Sequence, residues 1–397
     1  MIMNGPSLRI LDDRGVALPL ALVALAILSA LMIALTTLAA SEPDIANNHL
    51  QSARARTFAE SGLERALWAV NNPAEPGGLS DPLPPTLSAD YGGSRFTSVE
   101  RVAGVSQGGF KLTVAGAASG SPWERDITSV GFAPDDLRPR AVKKLKATAM
   151  RIRPFRAPCA ACVNGALRIE GNSTVDARPG PSTVPGAPRH CAEGPLPTGS
   201  MSSKQTEYGA GPRVFGPGND IPNEAADRQA FVPAPSFAFQ LTPAETAALK
   251  ALAQSARTYY RGGVRFGVGN PLPQGLVFVD TTTGAPLTAA TPDAEIARVS
   301  IEGGSPWRGW LVVAGSLVVE GDARLEGMLY AQNDLALRGG DVHGVVVAEE
   351  RKATASSIDP GAAGQVSVTY DCGAIDAVAV PKGWLVQSGS YREVEGR

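Results

Sequence analysis

The sequence predicts an α+β protein: a long N-terminal transmembrane and stem helix, a small antiparallel sheet, and a parallel β-helix-like C-terminal domain with an irregular helical insertion. Three observations carry this. An uncharged run over 16–40 leads into an amphipathic stretch that stops at "NNP" (71–73). Three stretches between 95 and 133 alternate apolar and polar residues, the period of half-buried strands. Near the C-terminus an apolar-pair-and-glycine motif recurs at a spacing of about 18 residues, the mark of stacked repeats.

The 397 residues suffice for two to three domains of about 150 residues each. The 36 basic and 38 acidic residues leave a net charge of −2, not the basic excess of a nucleic-acid binder, so no nucleic-acid partner is expected. With 44 glycines, 32 prolines and only 6% aromatic residues, turns and short strands are favoured over a helical bundle.

As a helix, 16–40 is about 37 Å long, enough to cross a hydrocarbon core of about 30 Å. A cleavable secretory signal has a shorter apolar region, although Ala39, Ala40 and Ser41 imitate its cleavage site. Arg9 and Arg14 precede the run while Glu42 and Asp44 follow it, which keeps the leader cytoplasmic and sends the body across. Pro19 would break a helix that began well before it, but fits the first turn of a helix that starts after Gly15. Pro43 is expected to kink the helix where it leaves the membrane. Beyond it, Leu50, Ala53, Phe58, Leu63, Leu67 and Val70 recur near helical spacing, and Arg56 and Glu60 form an i,i+4 pair.

Arg14-Gly15 before a long apolar helix resembles the cleavage site of type IV prepilins. The stretch from "RGVALPLALVALAILSAL" to "AESGLERAL" (59–67) resembles the PilX N-terminal family of minor pilins, over roughly residues 9–70. The resemblance implies that a prepilin peptidase cuts after Gly15 and methylates the new amine of Val16. The subunit would then pass from the lipid bilayer into a filament, with its helix in the filament core. It implies major and minor pilins and an inner-membrane assembly platform as partners. It further implies a single-pass inner-membrane protein with its body in the periplasm, later part of an extracellular pilus. Major pilins carry a glutamate at the fifth mature position, and here that position is Leu20, as in tip-located minor pseudopilins. A carboxylate in hydrocarbon is costly unless paired, so Leu20 points to a tip or priming subunit, against the plainer alternative of an ordinary anchor.

The expected domains are a leader (1–15), the membrane and stem helix (16–70), an antiparallel sheet (71–135), a basic linker (136–160) and a β-helix-like head (161–397) with an insertion at about 178–274. In the head, "SLVVEGDARLEGMLYA" (316–331) aligns with "DLALRGGDVHGVVVAE" (334–349). Leu317, Val319, Leu325, Gly327 and Leu329 fall opposite Leu335, Leu337, Val342, Gly344 and Val346, the offset slipping by one residue midway. "ALRIEGNSTVDA" (166–177) fits the first half, and 275–284 and 310–316 offer further strands. The alternative is an antiparallel meander with coincidental periodicity. Within the insertion, 242–263 reads as a helix with Thr242 as N-cap, Pro243 in its first turn, Glu245 completing a capping box, an apolar face of Leu249, Leu252, Ala256 and Tyr260, and Gly262 as stop.

The chemistry-bearing residues are sparse. Cys159, Cys162, Cys191 and Cys372 are disulfide candidates if the body enters an oxidising space. Three pairings are open, among them a Cys162–Cys372 bridge across the ends of the repeat. A four-thiolate zinc site and free thiols are the alternatives. Asn219, Asp220, Asn223 and Asp227 lack calcium-loop spacing. His49, His190 and His343 are scattered, with His343 expected on a turn. Asp322, Glu326, Asp334 and Asp341, the carboxylates a glycosidase-like rival would need, are expected mostly at turns. No catalytic residue, metal site or cofactor is expected. A third class, a membrane-anchored adhesin or scaffold outside any pilus, would keep its leader.

Overall fold

A computed structural model describes residues 17–102, 105–194, 196–204, 206–218, 221–229, 232–233, 237, 239–304, 306–352, 354–361, 364–378 and 383–394. The chain divides into two compact units, Met1–Ala149 with Gly389–Arg397, and Met150–Ser388. It is a mixed α+β protein whose sheets are mostly parallel.

The first unit is built on one helix, α1 (Ala17–Asn71). Ala55, Phe58, Ala59, Leu63, Ala66, Ala69 and Val70, spaced by three or four residues, are buried in its second half. They lie against strands β2 (Val105–Gly116) and β3 (Glu124–Ala133), which with β1 (Thr97–Val102) pair antiparallel in succession. The expected face differs in part, since Leu50 is half exposed and Ala53 exposed. Full burial along the helix begins at Ala55, and at its closest points the contact runs through small residues. A Cβ on Gly131 of β3 would stand 1.9 Å from the Ala55 carbonyl oxygen, and one on Gly62 of α1 would stand 2.1 Å from Ser129 Oγ. The helix therefore rests on the strand backbone to backbone.

The basic run expected to be a linker is instead a strand, β4 (Ala141–Arg151), next to β3. Leu145, Ala147 and Ala149 are buried, while Lys144 and Lys146 alternate with them on the other face. The charges masked a period-2 pattern. The expected head also ends early. The final strand, Arg392–Val394, pairs antiparallel with residues 144–146, and Lys143 bridges to Glu393 at 2.5 Å.

The second unit holds two sheets in which every described pairing is parallel. One runs in the spatial order Arg213–Phe215, Ser173–Asp176, Val366–Tyr370, Gly340–Ala348, Arg324–Ala331, Trp307–Val313, Gly275–Asp280, Tyr259–Arg261. The other runs Gly263–Gly267, Ala297–Glu302, Gly315–Glu320, Leu335–Leu337, Ala355–Ile358, Ala166–Ile169, Thr206–Tyr208. From Ala297 to Tyr370 the chain alternates strictly between the two sheets, and both contribute to one apolar core. The register is the one aligned from sequence. Leu317 pairs with Leu335 and Val319 with Leu337, 18 residues on. Leu325, Gly327 and Leu329 pair with Val342, Gly344 and Val346, 17 residues on.

Four glycines, Gly275, Gly309, Gly327 and Gly344, stack in register across adjacent strands. A Cβ on Gly327 would meet the Gly309 carbonyl oxygen at 2.0 Å, and one on Gly344 the Gly327 oxygen at 1.7 Å. Gly327 also has φ +120°, which side chains rarely tolerate.

The insertion is smaller than expected. Thr198–Ser202, Thr206–Tyr208 and Arg213–Phe215 pair in parallel with Cys159–Val163, Ala166–Ile169 and Ser173–Asp176, adding another layer. "TGSMS" is wholly buried but polar in composition, so apolar periodicity could not reveal it. Helix α2 (Pro243–Ser255) starts as expected, with Thr242 Oγ1 accepting from Glu245 N at 3.2 Å and Glu245 accepting from Thr242 N at 2.8 Å. It stops earlier, because Arg257 turns left-handed (φ +61°) and Tyr260 joins a strand. Glu245 is buried and also pairs with Arg153 at 2.9 Å. Replacing Gly327 by Ala is expected to destabilise this unit by at least about 2 kcal/mol, read as a lower urea midpoint of the detergent-solubilised chain, whereas Gly218→Ala, whose Cβ would meet nothing within 4 Å, leaves the midpoint in place.

Candidate membrane and assembly helix

The feature that most demands a function is the first half of α1. Every residue over 18–39 is exposed, including Leu18, Leu20, Leu22, Leu25, Leu28 and Ile33. No charged residue occurs over 17–41. The segment is long and apolar enough to cross a membrane, and no described residue of the chain covers it. Its two threonines are internally satisfied: Thr36 Oγ1 donates to Met32 O and Thr37 Oγ1 to Ile33 O, both at 2.9 Å. Such back-bonding removes the cost of bringing a hydroxyl into hydrocarbon.

Gly15 and Val16, the expected processing pair, lie outside the described residues. Pro19 sits in the first described turn of α1, and Leu20 is 65% exposed on the same turn. The helical assignment runs unbroken through Pro43 to Asn71. Arg56 and Glu60 form the expected pair at 3.1 Å, and the Tyr391 hydroxyl near the C-terminus donates to the same carboxylate at 3.2 Å.

All four cysteines are bonded, Cys159 to Cys162 and Cys191 to Cys372, with Cα atoms 5.6 and 5.3 Å apart. No thiolate remains for zinc, and the Cys162–Cys372 bridge does not form. Sequence order suggested that bridge, but the chain turns back after Ser173–Asp176 so that the loop carrying Cys191 packs beside the short helix Cys372–Asp376. There Cys372 N donates to Arg189 O at 2.7 Å. Asp371, fully buried, anchors the same loop through Ser182 Oγ and Thr183 N.

The remaining candidates are dispersed. Asn219 and Asp220 lie outside the described residues, and Asp227 is buried, accepting from Gly216 N and Glu224 N. Glu326 lies on a strand and pairs with Arg308, and Asp334 accepts from Ser316 and Asn333. His343 also lies on a strand rather than a turn, and its Nε2 bonds Asp341 at 2.9 Å. Among the described residues no three His, Cys, Asp or Glu side chains are grouped to hold a metal ion. A polar groove of about 1040 Å³ includes Asn172, Thr174, Arg213, Asp322, Arg324 and Asp341 in its walls. Its residues come from five separate segments, so no local signal in the sequence announces it.

Comparison of the chain with protein-family models, with curated proteins and with solved structures finds no match.

The hydrogen bond from Asp341 raises the pKa of His343 above the ordinary histidine value, against the opposing effect of burial. The imidazolium is thus favoured in the folded state. The stability it brings is full below about pH 6.5 and fades as pH rises through the raised folded value. His343→Gln should therefore lower the melting temperature more at about pH 6 than at about pH 9, and Asp341→Asn should bring the histidine titration, followed by NMR, back toward about 6.5. Removing the long-range disulfide by Cys191→Ser with Cys372→Ser releases a loop of 181 residues. It should cost about 5 kcal/mol, seen as a denaturation midpoint that reducing agent no longer shifts by that amount.

Proposed function

We propose that this chain is a minor pilin of a type IV pilus or related filament, a structural subunit rather than an enzyme. The observation that carries the reading is α1: one continuous helix whose distal half is bound to its own sheet and whose apolar half has no partner among the described residues. A rod of that kind has two solvents open to it, lipid and other rods of the same kind. Prepilin-like residues Arg14, Gly15 and Val16 precede it, and a prepilin peptidase would convert one state into the other. Major and minor pilins and an inner-membrane assembly platform are then its partners. The subunit first sits in the inner membrane with its body in the periplasm and later in the pilus outside the cell. Leu20 favours a tip or priming position, since it offers no carboxylate to a neighbour's terminal amine.

We read the second unit as the displayed head, a parallel β-helix. Strict alternation between two parallel sheets, a register of 17–18 residues and a shared core support that architecture.

The test is mass analysis of the protein purified from native membranes and from sheared filaments. The expected polypeptide begins at Val16 and carries one added methyl group. A chain that retains residue 1, or that begins near Ser41, ends the pilin reading. Retention of residue 1 with the protein held in the membrane would favour the anchored scaffold or adhesin instead.

A further inference from the structure

A second surface of the first unit carries charge and grease together, and it lies on the membrane side of the stem. Strand β3 runs from Ser129, opposite Gly62, to Gly131, opposite Ala55, so it descends toward the N-terminal end of α1. The loop 134–140 that follows is closed at its base by Arg140 N donating to Ala133 O at 2.8 Å. Its base residues Ala133 and Ala141 pack with Ala55 and Phe58. The loop thus projects beyond Ala55 toward the apolar half of the helix.

Distances set what it can touch. Fifteen residues separate Ala40 from Ala55, about 22 Å of helix. A seven-residue loop folded back on itself reaches about 10 Å. Its tip then stands about 12 Å above the end of the apolar run, within the combined reach of the headgroup layer and an arginine side chain. The helix tilt usual in membranes, about 20°, closes the gap further.

The chemistry of the tip suits that position. Leu137 is 87% exposed, an isolated apolar side chain held out by a carboxylate turn in which Asp135 accepts from Leu137 N and Arg138 N. The other acid, Asp136, is spent on Lys111 at 2.8 Å. Arg138 and Arg140 are exposed and, with Arg54 on the adjoining helix, make no ion pair with a described residue. The stem at the membrane exit carries Glu42 and Asp44, so the loop, not the helix, supplies the cations.

We propose that loop 134–140 is a contact for anionic phospholipid: Leu137 enters the headgroup layer, and Arg138 and Arg140 bind lipid phosphates beside the emerging helix. Each basic residue so placed adds about 1 kcal/mol of attraction, enough to hold the first unit against the bilayer before assembly. This rests on the reading of α1 as a membrane span.

The test uses the full chain in vesicles, with an environment-sensitive fluorophore on Leu137→Cys and, separately, on Leu28→Cys within the span. With anionic lipid in the vesicles, the label at 137 should shift to the blue and be quenched by headgroup-level spin-labelled lipid. The shift should vanish in neutral vesicles, on Arg138→Glu with Arg140→Glu, and on raising salt from about 0.1 to about 1 M, which shortens the screening length from about 10 to about 3 Å. If the label at 28 reports lipid while that at 137 reports water in every vesicle, the loop contact is overturned and the span stands. If the label at 28 also reports water, the span itself fails. A shift at 137 that depends on protein density and not on lipid charge assigns the loop to another protein copy and overturns the proposal.

Discussion

The close seating of α1 on β3 is the contact on which the rest of the first unit depends. Where Ala55 meets Gly131 and Gly62 meets Ser129, neither side offers a side chain large enough to hold the two elements apart. The gain is not one large buried residue but many short van der Waals contacts along two backbones, each worth only about 0.1–0.2 kcal/mol and additive over the length of the contact. Fixing the helix there also fixes where the contact stops. Every residue over 18–39 is exposed, so among the described residues the apolar half projects as a single rod with all its faces open. A helix gripped along its whole length could not pass from one apolar surrounding to another.

The second unit meets a different constraint. Parallel strands that return every 17 or 18 residues must place like beside like, because each side chain stands directly over its counterpart in the next strand. The apolar columns Leu317–Leu335 and Val319–Leu337 meet that demand by repetition. The glycine column at 275, 309, 327 and 344 meets it by omission. At the last three positions the neighbouring carbonyl already occupies the space of a Cβ, so a larger residue in one strand would disturb the strand beside it.

These two cases also explain what was legible in the sequence. The repeat could be aligned to the residue because columnar stacking writes the same requirement into the chain again and again. The long apolar run was legible because charge is absent for more than twenty residues. Other features left no such trace. Strand β4 was hidden because its outward residues are lysines, and charge crowding reads as a connector until Leu145, Ala147 and Ala149 are seen to alternate with them. The buried strand Thr198–Ser202 was hidden because serine, threonine and glycine fill it. The end of α2 was misplaced because Arg257, a good helix former by composition, takes a left-handed turn that only its surroundings require. The pairing of Cys191 with Cys372 depended on where a long loop folds back, which residue spacing does not encode. The polar groove, gathered from five separate segments, was invisible for the same reason.

The final strand, Arg392–Val394, lies beside residues 144–146 in the first unit, while residues 150–388 form the second. During synthesis this pairing along β4 therefore waits until residues 392–394 have been made. The protein closes like a clasp: α1 and the first four strands are made early, residues 150–388 are looped out between two neighbouring strands, and the clasp shuts only when residues 392–394 follow. A chain that stopped before residue 392 would carry the apolar helix but lack this strand of the sheet.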